Sequence, residues 1–75
     1  MYIVGEYYYL VEEGEGRFVI CKTLDEAKEI GSRWAERDDD AHLAIINGNG
    51  ELITEGYQHF VWHNENPYKL AWLKD

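Results

Sequence analysis

Apolar residues recur at helical spacing in residues 23–37, TLDEAKEIGSRWAER. Leu24, Ala27, Ile30, Gly31, Trp34 and Ala35 fall on one stripe of a 3.6-residue turn. Asp25, Glu26, Glu29, Arg33, Glu36 and Arg37 take the opposite face, with Glu29 and Arg33 four apart in the favourable order. Thr23, three residues before Glu26, opens the segment as a capping box: the hydroxyl accepts a first-turn N–H and the carboxylate reaches back. Acidic residues stand in the first turn and arginines near the end, as the helix dipole prefers. The spacing predicts a helix over these residues, with Trp34 as its large core anchor.

Elsewhere the pattern is that of strands. YIVGEYYYLV, residues 2–11, is rich in β-formers. Strand parity puts Ile3, Gly5, Tyr7, Tyr9 and Val11 on one face and Tyr2, Val4, Glu6, Tyr8 and Leu10 on the other, with Gly5 a candidate bulge. The turn EEGEG, 12–16, leads to a second strand, RFVICKT, 17–23, paired with the first as a hairpin. After the helix, RDDD at 37–40 is a solvated connection. HLAIIN, 42–47, and ELITEG, 51–56, flank Asn47-Gly48-Asn49-Gly50, the strongest hairpin signal in the chain. YQHFVWH, 57–63, extends strand four or forms a fifth strand. Asn66-Pro67 then opens a short helix through PYKLAWLK, or that segment is a last edge strand. This order predicts an α+β fold: an antiparallel sheet of four or five strands with one main helix on one face. All 75 residues are expected to form one domain.

Charge and aromatic content change the picture. Fifteen Asp and Glu against seven Lys and Arg give a net charge of −8. Such a surface repels nucleic acid and anionic membrane and favours basic partners, although it also serves solubility. Six Tyr, three Trp and two Phe exceed what a core this small encloses, so some rings are expected at a surface or interface. Tyr8, Tyr57 and Trp62 are the aromatic candidates for partner contact. Cys21, the single cysteine, excludes an intramolecular disulfide and reads as a small buried residue in a reducing, cytoplasmic setting. No stretch approaches membrane-spanning length, and neither a signal peptide nor a membrane span is expected.

Candidate chemistry is sparse. His59 and His63 share a strand face but stand roughly 13 Å apart by strand rise, too far for one metal ion without help from elsewhere, such as His42. Glu36, Asp38, Asp39 and Asp40 lack the alternating spacing that wraps calcium. The NGNG turn lacks the Lys, the Ser or Thr and the helix of a phosphate cradle. No nucleophile–base spacing is recognisable, so no catalytic residue, metal or cofactor is expected. The acidic run is different. Like charges crowd the end of a helix, where the dipole already disfavours them, so stability alone supplies no reason for them.

In length, acidity and element order, with TLDEAKEIGSRWAE as the helix and LAIINGNGELI as the hairpin after it, the chain resembles small phage-encoded inhibitors of bacterial defence systems. Anti-CRISPR proteins and acidic DNA mimics are the members meant, and the resemblance carries no residue roles. It implies a module that occupies a nucleic-acid-binding surface on a nuclease complex. The helix followed by Leu43-x-Ile45-x-Asn47-x-x-Gly50-x-Leu52-Ile53 is also similar to small bacterial domains of unknown function, which implies fold alone. The expected function is non-enzymatic protein binding. Glu36, Asp38, Asp39 and Asp40, flanked by Tyr8, Tyr57 and Trp62, would meet a basic protein surface, with no direct nucleic-acid or membrane contact. The alternative is a homodimeric module pairing through aromatic strand surfaces.

Overall fold

A computed structural model describes residues 1–38 and 40–57. The elements run β1 (Tyr2–Glu6), α1 (Tyr7–Leu10), β2 (Phe18–Cys21), α2 (Leu24–Arg37), β3 (His42–Asn47) and β4 (Leu52–Tyr57). The strands form one antiparallel sheet in the order β2-β1-β3-β4, with α2 on one face, an α+β arrangement. The expected strand or extension at 57–63 and the C-terminal helix lie outside the described residues beyond Tyr57.

α2 forms where the periodicity placed it. The Thr23 hydroxyl accepts from the Glu26 N–H at 3.1 Å. The Glu26 carboxylate reaches one residue further back than a standard capping box, accepting from the Lys22 N–H at 2.9 Å. All six polar positions of the outer face are exposed. On the inner face the fully covered residues are Ala27, Gly31 and Ala35, while Leu24, Ile30 and Trp34 are half-buried at its margins. Trp34 is therefore a flank of the core rather than its anchor. Three small residues let the helix lie close to the sheet, against Val4, Cys21, Leu43 and Ile45. Leu43 and Ile45 are wholly buried, each side chain contributing about 1.5–3 kcal/mol.

The first strand is shorter than its composition suggested. It ends at Glu6, and Tyr7–Leu10 form the single helical turn α1. Both neighbours run out there: Glu6 pairs with Leu43 near the start of β3, and its N–H donates to the Arg17 carbonyl just before β2. Residues beyond would have lacked ladder partners, so the backbone turns on itself, with Val11 N–H on Tyr7 O and Gly14 N–H on Tyr8 O. The parity assignment holds for residues 2–6 and stops. Tyr7, Tyr8 and Tyr9 lie on a helical turn, not on a strand face.

Gly5 marks no bulge, since the β1–β2 register is unbroken. A Cβ there would stand 2.6 Å from the Arg17 carbonyl oxygen and 2.7 Å from the Phe18 Cβ. Close strand approach is what requires this glycine. The hairpin at 47–51 closes as expected. Asn47 Oδ1 accepts from the N–H groups of Asn49 and Glu51, and Gly50 adopts φ +83°, in the left-handed region of a three-residue loop. The register does shift opposite Ile45 and Ile46, a bulge in the β3–β4 pair.

Candidate functional site

α1 and the connection after α2 meet at one end of the sheet, and an acidic cleft of about 220 Å³ lies between them. Glu6 at the end of β1, Glu12 from the turn after α1, and Asp38 and Asp40 from the connection supply its carboxylates. Tyr7, Tyr8, Trp34 and His42 complete its walls. Two stretches distant in sequence, 6–12 and 38–40, thus place negative charge on one concavity. Tyr8 at its rim is 59% exposed.

The acidic connection also has a structural part. Asp38 caps α2, its N–H on Ala35 O, and its carboxylate accepts from the Asp40 N–H at 3.0 Å. Its carbonyl accepts from the Ala41 N–H at 3.0 Å. This turn closes the helix and launches β3. The expectation that stability supplies no reason for these acids is corrected for Asp38, whose side-chain oxygen holds the turn.

Of the residues expected to contact a partner, the structure brings Asp38, Asp40 and Tyr8 together at the cleft. Glu36 stands exposed on α2 and does not line it. Tyr57 is placed by its backbone at the end of β4, opposite His42. The Tyr57 side chain, Asp39 and Trp62 lie outside what is described. Glu6 and Glu12 were not singled out: the β1 ladder places Glu6 at the cleft, and the turn at α1 brings Glu12 to it.

Behind the cleft, His42 Nε2 and Glu55 Oε1 are 2.6 Å apart across the β3–β4 pair. The Glu55 side chain is 5% exposed and that of His42 35%. Tyr7 stacks on the His42 ring, centroids 4.1 Å apart and planes 10° from parallel. Burial first, then the carboxylates of Glu55 and Glu12, hold the Tyr7 phenol above its ordinary pKa, so Tyr7 presents a neutral hydroxyl near neutrality. The arrangement fastens the back wall of the cleft. Parity counted from the three-residue turn puts His42 and Glu55 on opposite faces, and the register shift opposite Ile45 and Ile46 is what brings them onto one, so the sequence pattern did not signal this pair.

Cys21 is buried, as expected, with burial and then Glu26 raising its thiol pKa. Both effects disfavour the reactive thiolate. Among the described residues no group of His, Cys, Asp and Glu has the geometry to hold a metal ion. No helix among them is long and apolar enough to cross a membrane. Comparison of the chain with family models, curated proteins and solved structures finds no match.

Proposed function

We propose that this protein is a small acidic, non-enzymatic binding module, an inhibitor that occupies a basic, nucleic-acid-binding surface of a target protein complex. The supporting observation is the convergence of Glu6, Glu12, Asp38 and Asp40 on one cleft with the exposed Tyr8 at its rim. A chain of net charge −8 steers basic surfaces from a distance, and this cleft offers an arginine or lysine side chain several carboxylates at once. Tyr8 adds a large ring that loses little rotamer freedom on contact. Glu6 is already engaged by Arg17 at 2.9 Å, so Glu12, Asp38 and Asp40 are the carboxylates left to a partner.

The test begins with capture of the partner from bacterial lysate and its identification by mass. The Glu12→Gln/Asp38→Asn/Asp40→Asn variant is then titrated against it at two salt concentrations. Asn at position 38 keeps the oxygen that holds the turn, so the fold survives. Affinity should fall by about tenfold or more and the salt dependence should flatten. Unchanged affinity with an unchanged salt slope would leave the acids a solubility role only.

A further inference from the structure

One edge of the sheet is a strand without an acidic residue. β2 is an edge strand, and Phe18, Val19 and Ile20 are 44%, 39% and 60% exposed. Because Glu6 N–H donates to Arg17 O, the antiparallel alternation turns the N–H and C=O groups of Val19 and Cys21 toward β1. Those of Phe18 and Ile20 point outward, and they meet no strand among the described residues. Natural sheets usually blunt such an edge with charge, proline or a bulge. β2 has none of these within its four residues, FVIC.

Beside this edge, on the α2 side, runs an open groove of about 830 Å³. Arg17, Arg33 and Arg37 line it together with Trp34, Val19 and a single carboxylate, Asp38, which also borders the acidic cleft. Three of the chain's seven Lys and Arg thus gather on one groove of a protein with net charge −8. The Arg17 guanidinium lies 5.0 Å over the Trp34 ring and pairs with Glu6. Arg33 pairs with Glu29 at 2.7 Å. In both pairs the arginine is well exposed, and such pairs are weak enough for an incoming carboxylate to displace.

We propose that the β2 edge takes up an extended segment of a partner protein in which acidic and apolar residues alternate, adding a fifth strand to the sheet. Outward backbone groups of Phe18 and Ile20 supply the ladder. Side chains of the added strand that point to the α2 side enter the arginine groove, which selects carboxylates. Those on the opposite side continue the apolar surface of Phe18 and Ile20. A second copy of the chain fits less well. Antiparallel pairing that sets the outward groups of Phe18 and Ile20 against Ile20 and Phe18 of a second copy delivers Arg17, Val19 and Cys21 to the α2 side, an arginine and two apolar residues where the groove selects carboxylates.

The test uses the whole protein and two synthetic eight-residue peptides, one alternating Glu with Val and one alternating Lys with Val. The Glu peptide should bind, and amide exchange should slow at Phe18 and Ile20. Arg33→Glu/Arg37→Glu should weaken binding by about tenfold or more, whereas Glu12→Gln/Asp40→Asn, in the acidic cleft, should leave it unchanged. Ile20→Pro removes an outward N–H while sparing the β1 ladder and should also weaken it. Failure of the Glu peptide to bind, equal binding of the Lys peptide, or binding without protection at Phe18 and Ile20 would overturn the proposal. Concentration-dependent self-association that protects the same two amides without peptide would assign the edge to a second copy and overturn it as well.

Discussion

At the scale of single residues, two polar side chains inside the sheet have opposite consequences. Thr54 is wholly buried, and its hydroxyl has no hydrogen-bond partner among the described residues. A buried hydroxyl left unpaired costs about 1–3 kcal/mol. Thr54→Val keeps the shape and removes the orphan, so it should stabilise the protein by up to about 1 kcal/mol. Denaturant unfolding checks this, and a loss of more than about 1 kcal/mol would show that the hydroxyl is satisfied after all. Glu55 is the reverse case, a carboxylate 4% exposed with His42 at hydrogen-bond distance. Exposed pairs are worth almost nothing and severed buried pairs cost about 3–5 kcal/mol. With His42 at the boundary, His42→Ala should cost roughly 2 kcal/mol, and His42→Gln, which can still donate, clearly less. Equal losses in the two variants would assign the effect to the ring stacked under Tyr7 rather than to the hydrogen bond.

At the scale of elements, the legible parts were those whose signals are local. A capping threonine, a stripe of six apolar positions and an Asn-Gly turn act through neighbours in sequence, and α2, β3 and the hairpin came out where those signals placed them. The end of β1 was not legible, because it depends on where two other strands stop. Tyr7–Leu10 have strand composition, yet no ladder reaches them, and their own hydrogen bonds take over. The cleft inherits that illegibility, since α1 brings Glu12 and Tyr8 to Asp38 and Asp40. The same distinction governs the helix. Periodicity shows which side of α2 faces inward, but how deep each residue sits depends on how closely the helix approaches. Ala27 is wholly buried and Trp34 only half. Trp34→Ala should therefore cost about 2 kcal/mol, below the roughly 3–5 of an aromatic removed from a core. Ala27→Leu, which must push the helix off the sheet, should cost about 1–3 kcal/mol although it adds apolar surface. A stabilising Ala27→Leu in thermal or denaturant unfolding would refute the close approach.

At the scale of the whole molecule, charge is distributed unevenly enough to separate stability from binding. Net charge −8 is gathered partly at one cleft, which Glu12, Asp38 and Asp40 line together, while Arg17, Arg33 and Arg37 line the adjoining groove. Trp34 and Asp38 border both concavities. Two carboxylates roughly 8 Å apart in water repel by about 0.5 kcal/mol at low salt, and that repulsion fades once the screening length falls below their separation. Folding concentrates these charges, so the native state bears more of the repulsion than the unfolded chain. Added salt should raise the unfolding free energy of the native protein. The Glu12→Gln/Asp38→Asn/Asp40→Asn variant should be more stable by about 1 kcal/mol at low salt, with the advantage shrinking toward zero near 1 M salt. Solubility requires charge anywhere on the surface; a binding cleft requires it here, at a cost to the fold. Urea unfolding of both proteins across a salt series decides between them. A variant no more stable than the native chain at low salt would show that the cleft stores no repulsion, and would remove the energetic ground for treating its acids as retained for a partner.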